Sequence, residues 1–246
     1  MANRSAVSKM ARKGAKVSNA KPGGIELYFK RIFALMFGAV GLTAVSAYAT
    51  LRWGLPLVFN ATMTGYSALF YIIMFGGLAL AIYTQVRIFR MKPMMAGILL
   101  AIYSIAIGFT MAPLVAFSLA VNPWTIIYAF VIAAVMFGCM ALFGYKTAKN
   151  LSFLGIFLFM GMIGLILVGL ISLIWPLGST FATIVCLIGV LVFALFTAYD
   201  MQNLKQAYAV VNDETQKNQL AVLGALHLYI SFIAMFQYIL SLLNRN

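Results

Sequence analysis

Seven apolar runs divide this chain, at about residues 30–51, 65–88, 95–119, 124–145, 152–175, 180–201 and 220–243. Each is close to the ~20 residues an α-helix needs to cross the hydrocarbon core of a bilayer. No water is present there to satisfy unpaired backbone groups, so a lipid-embedded run of this length is helical. The expected fold class is therefore all-α: a polytopic membrane protein of seven transmembrane helices. Composition agrees, because a chain that is 64% hydrophobic and 9% charged cannot cover a water-soluble core of 246 residues with polar surface.

Lysine and arginine give the orientation. Fifteen of the 17 lie in the stretch through Arg31 or at the second-to-third (from Arg87), fourth-to-fifth and sixth-to-seventh connections; only Arg52 and Arg245 lie at the other ends. By the positive-inside rule the N-terminus is expected on the cytoplasmic (or matrix) side. Trp53, Trp124 and Trp175 then all fall at the outer ends of helices, where an aromatic belt sits.

Residues 1–24 read as a basic, disordered cytoplasmic tail, and residues 25–246 as the seven-helix transmembrane domain. The tail has no apolar stretch of the ~7–15 residues that a secretory signal requires. Being basic, serine-containing and acid-free, it is also compatible with a mitochondrial presequence. The net charge of +13 would suggest nucleic acid in a soluble protein. Here the positive groups cap apolar runs, so the expected partner is anionic lipid at the cytoplasmic face and not nucleic acid. Cys139 and Cys186 fall inside apolar runs and read as packing residues. The same reading applies to the Ala39, Thr43, Ala47 stripe and to Gly155, Gly161, Gly164 and Gly169, which suit close helix packing. Pro113 interrupts the third run and is expected to bend it.

The chain has only four acids, Glu26, Asp200, Asp213 and Glu214, and Asp200 alone belongs to an apolar run. A charge at the centre of a spanning helix costs about 2.5–3.5 kcal/mol on insertion scales, so Asp200 is a candidate functional residue in need of a partner.

Four ordered blocks carry a resemblance over residues 95–243. They are GFTMAPLVAF in the third run, FGCMALFGYKTAKNLSFLGIFLFMGMIGLI across the fourth and fifth, IGVLVFALFTAYDMQNLK in the sixth, and LAVLGALHLYISFIAMF in the seventh. Together they resemble the Bax inhibitor-1 (transmembrane Bax-inhibitor-motif) family in its bacterial form. The resemblance implies a seven-helix fold with a central seventh helix, a bacterial inner-membrane location (a mitochondrial inner membrane being the alternative), and a pH-sensitive calcium leak. It also implies two aspartates on the last two helices that share a proton, and a basic latch at the cytoplasmic end of the second helix. Asp200 matches the first aspartate and Arg90 the latch. Where the family reads LYLDFIN, this chain has Leu228-Tyr-Ile-Ser-Phe-Ile-Ala234, with Ser231 at the second aspartate.

Two nearby carboxylates titrate as a coupled pair, whereas one carboxylate beside a hydroxyl does not. The expectation is a calcium or cation leak with altered pH gating. As a metal ligand Asp200 is weak, because Ca²⁺ takes about 6–8 oxygens. His227, the single histidine, lies four residues before Ser231 on the same helix face and offers a replacement partner for Asp200. The resemblance also supports a regulatory alternative, in which the N-terminal tail modulates a membrane-anchored ATP-dependent protease. An enzyme is not expected: no glycine-framed serine or oxyanion-hole motif accompanies Ser231 and His227. No cofactor is expected beyond calcium as a permeant ion.

Overall fold

The computed structural model describes residues 24–60, 65–175 and 178–245. The basic tail, apart from Gly24, lies outside the described residues. Among the described residues, seven helices are long and apolar enough to span a membrane. They are α1 (Gly24–Ala49), α2 (Ala68–Arg87), α3 (Pro93–Val121), α4 (Trp124–Lys146), α5 (Ser152–Ile174), α6 (Ser179–Val210) and α7 (Glu214–Leu243). A π-helical turn, Thr50–Gly54, and a single turn, Leu55–Val58, prolong α1; a 3-10 turn, Ile88–Arg90, ends α2. Phe59 and Tyr66 form an isolated antiparallel bridge, and among the described residues there is no longer β-structure.

The central element is α7. It packs against α1, α3, α4 and α6 and touches the 3-10 turn after α2. Its most apolar stretch is 78% buried, against 6% for α5, which packs mainly on α6 and otherwise faces outward. The core follows from this arrangement: Leu226, Leu228, Tyr229, Met235 and Leu240 of α7 are all but fully enclosed, beside Ile32 and Met36 of α1. In lipid, apolar surface gives no hydrophobic drive to associate, so close packing must hold the helices together. The α1–α3 and α4–α6 seams show that packing, with Gly108 against Thr43 and Ser46, and Gly144 against the Ala198 backbone.

Three details depart from the expectations. First, α6 runs nine residues beyond 201, and α7 begins six before 220. The polar stretch 202–219 is thus mostly helix, with a turn at Val211–Asp213. Leu204 and Tyr208 are buried there, and the Asp213 side chain caps α7 by accepting from the Gln216 amide at 3.1 Å. Amphipathic helix outside the bilayer is invisible to a hydropathy reading but gains a capped end and a packed face.

Second, Gly164 and Gly169 pack against nothing within 4 Å, while Gly155 and Gly161 face Tyr199 and Val192. Only the α6 side of α5 has a neighbour to receive a glycine. Third, α1 starts at Gly24, about six residues before the expected span, because Tyr28 and Phe29 bury against Tyr208 and Tyr145. Helix α3 continues through Pro113. Thr43 is more than a small packing residue, as its hydroxyl bonds the Ala39 carbonyl at 2.9 Å, the Ser104 carbonyl at 3.1 Å and the Tyr229 hydroxyl at 2.5 Å.

The bundle has two chemically distinct ends. Lysines and arginines populate the one where α1 begins, here the basic end. Exposed Trp53, Trp124 and Trp175 mark the other, here the tryptophan end.

Candidate functional site

Asp200 lies ten residues before the end of α6, about 15 Å inside it, and is 8% exposed. His227 lies thirteen residues into the antiparallel α7, about 20 Å from its start, deeper than a helix beginning near Leu220 would place it. The pairing of α6 with α7 brings the two level. His227 Nδ1 stands 3.7 Å from Asp200 Oδ1. At that distance opposite charges attract, but a direct hydrogen bond requires a small rotation.

On its other side His227 meets Gln85 of α2, with Nε2 3.3 Å from the amide oxygen Oε1. Gln85 escaped the sequence reading, although it is the only amide side chain in an otherwise apolar run. The contact has a chemical consequence. An imidazole that donates from Nε2 to Gln85 and is neutral presents a lone pair at Nδ1. Facing an ionised carboxylate, that lone pair repels. The Asp200–His227 contact is therefore favourable when the two groups hold one proton between them, either as a carboxyl donating to nitrogen or as an imidazolium beside a carboxylate.

Ser231 is buried one turn further along α7, and among the described residues no hydrogen bond joins it to Asp200. Arg90 is exposed on the 3-10 turn and forms no ion pair among the described residues; the latch geometry implied by the resemblance is not present here. The end of α2 is held to α7 in another way. Gln219 Nε2 donates to the Met91 carbonyl at 2.6 Å, and Ile88, Ala96 and Val222 form a small separate core.

Further contacts fix the backbone around Asp200. Two residues along α6, the Gln202 amide accepts from Leu151 N at 2.8 Å and donates to the Lys149 carbonyl at 2.7 Å, strapping the α4–α5 connection to α6. Lys205 Nζ donates to the Tyr145 carbonyl at 2.9 Å and lies 4.8 Å from that ring's centre. Arg31 of α1 donates to Asn218 of α7. Among the described residues, no three or more His, Cys, Asp and Glu side chains gather as a metal site.

Comparisons with known proteins agree with this architecture. The family model described as inhibitor of apoptosis-promoting Bax1 matches residues 26–246. The chain is 33% identical to uncharacterized protein RP147 of Rickettsia prowazekii over 91% of each chain. It is 41% identical to inner membrane protein YbhL of Escherichia coli over 45% of this chain and 48% of that one. An uncharacterized protein of Caulobacter vibrioides is 40% identical over 48% and 47% respectively. With seven membrane-length helices arranged around α7 and a family match over nearly its whole length, the chain belongs to the Bax inhibitor-1 family.

Proposed function

We propose that this multi-pass protein of a bacterial inner membrane is a cation leak, with calcium among its ions, controlled by the proton on the Asp200–His227 pair. The observation that carries the reading is the convergence of the one carboxylate inside the bundle with the one histidine, 3.7 Å apart and oriented by Gln85. Asp200 supplies the negative charge that a passing cation requires. As a lone carboxylate it falls far short of the ~6–8 oxygens of a resident calcium site, which suits transit more than storage.

The pair ties α6 to α7 while it holds one proton, and through Gln85 it also engages α2. Removing that proton sets a lone pair against a carboxylate; adding a second leaves an imidazolium beside a neutral acid. Either change weakens the contact. Only the first leaves Asp200 ionised for a passing cation, so flux in the wild type rises as the pair loses its proton with increasing pH and stays low on the acid side, where a neutral acid stands beside an imidazolium. The test is calcium flux in proteoliposomes from about pH 5 to 8, with the wild type beside Asp200→Asn, His227→Phe and Ser231→Asp. Asp200→Asn lowers flux, and His227→Phe flattens the pH profile. A wild-type profile that His227→Phe leaves unchanged overturns the gating. A silent wild type, with Ser231→Asp conducting, shows that the fold has outlived its ion chemistry.

The regulatory alternative has its own supporting observation. Gly24, the first residue of α1, abuts Tyr208 beside the exposed α6–α7 turn, so α1 begins next to a polar surface. Its test is pull-down of a membrane-anchored ATP-dependent protease with and without residues 1–23.

A further inference from the structure

Helices α1 and α4 both pack on α7 without closing against each other, and the gap between them is a groove of about 400 Å³. Ala44 and Ala47 of α1, Met111 and Val115 of α3, and Phe130 of α4 line it, with Phe232 of α7 as its floor. It opens sideways: Ala44 is exposed, as are Tyr48, Ile127 and Phe130 around it, so its mouth is continuous with the surface that meets the bilayer. It extends toward the tryptophan end, where Leu51 and Leu119 belong to its walls.

We propose that this groove binds one acyl chain of an anionic phospholipid whose headgroup lies against Arg52. Size selects the chain. At about 30 Å³ for a methylene-sized group, the share of one liquid water, the space holds on the order of thirteen carbons. A helix about 10 Å across fills on the order of 420 Å³ per turn, so the space would take no more than about one turn of a partner helix.

Charge selects the headgroup. All four acids of the sequence lie away from the tryptophan end, where Arg52 and Arg245 are the only charged side chains. Arg245 is engaged, donating to the Ser179 carbonyl at 3.0 Å. Arg52 follows groove residue Leu51, is exposed, and has no hydrogen bond or ion pair among the described residues. A guanidinium at the interface with no acid near it attracts a phosphate. A second depression on the other flank of α1, lined by Leu42, Trp53 and Ile102, stops at α2 and α3 and does not reach α7.

The test reconstitutes the full chain in vesicles of equal parts phosphatidylcholine and phosphatidylglycerol, with a photoactivatable diazirine on the acyl chain of one lipid at a time. Crosslinked peptides and retained lipid are read by mass spectrometry. With labelled phosphatidylglycerol, the expected crosslinks concentrate on Phe130 and Phe232, with one lipid retained per chain. Ala44→Phe, which grows from an exposed position into the groove, cuts them roughly tenfold. Arg52→Gln removes the preference for phosphatidylglycerol over phosphatidylcholine. Leu42→Phe, on the other flank, changes neither and controls for folding. Labelling spread evenly over the outward face of α5, full labelling in Ala44→Phe, or crosslinks to a second copy of the chain would each overturn the proposal. Equal capture of both lipids by the wild type overturns the headgroup assignment.

Discussion

Replacing Gly144 by alanine tests whether the α4–α6 seam positions Asp200. A Cβ at that residue would stand 2.7 Å from both the Cα and the carbonyl carbon of Ala198, and closer still to its oxygen. Ordinary contact begins at 3.4 Å, so the two backbones must separate by roughly 0.7 Å or more. Overpacking of this kind costs about 1–3 kcal/mol, and backbone atoms cannot rotate aside as a side chain would, which argues for the upper end. Exchanging glycine for alanine within a helix returns up to ~1 kcal/mol. The net loss is about 2 kcal/mol.

Gly164→Ala is the matched control. Its Cβ meets nothing within 4 Å, so it carries the helix-propensity gain alone. Reversible unfolding of both variants in mixed detergent should place them about 3 kcal/mol apart. The seam lies two residues before Asp200, so Gly144→Ala should also displace the carboxylate from His227 and blunt the pH profile of flux. Two alanine variants within ~0.5 kcal/mol of each other would refute the reasoning, because the close approach would then not constrain the bundle.

Other perturbations follow from single contacts. Thr43→Val removes one partner of the buried Tyr229 hydroxyl and leaves it Ser104, and should cost about 1 kcal/mol in the same unfolding assay. Tyr229→Phe should cost less, since Thr43 keeps the Ala39 and Ser104 carbonyls. Gln85→Leu removes the side chain that contacts His227 Nε2, and should shift the pH at which flux rises without abolishing flux. Gln202→Ala releases the α4–α5 connection, and should raise amide exchange at Leu151 by roughly tenfold or more while exchange in α7 stays unchanged.

The helix count and fold class were legible because each spanning helix writes its length directly into the hydropathy pattern. The ends of α6 and α7 were not. Leu204 and Tyr208 are buried within a stretch whose average is polar, so only tertiary packing shows that it is helical. Asp200 was conspicuous as a lone acid, and His227 as the single histidine on the facing helix. Gln85 was harder to find, for it approaches His227 across 142 residues of sequence, and no local pattern encodes that distance. Thr43 looked like a small packing residue because its hydroxyl partners are contributed by α3 and α7. Arg90 shows the opposite case: the motif register identified the position, but its side chain in this structure is exposed and unpaired with Asp200.

The central position of α7 has a consequence for biogenesis. Membrane helices insert one by one and associate afterwards, and α7 emerges from the ribosome after the six others. Until it arrives, the surfaces of α1, α3, α4 and α6 that it covers have only lipid or one another to contact. A nascent chain of six helices is thus an assembly with its keystone missing, open to chaperones, proteases and wrong pairings. Damage late in the coding sequence would act as a failure of assembly, and such chains would be cleared before any defect in the folded protein could be expressed.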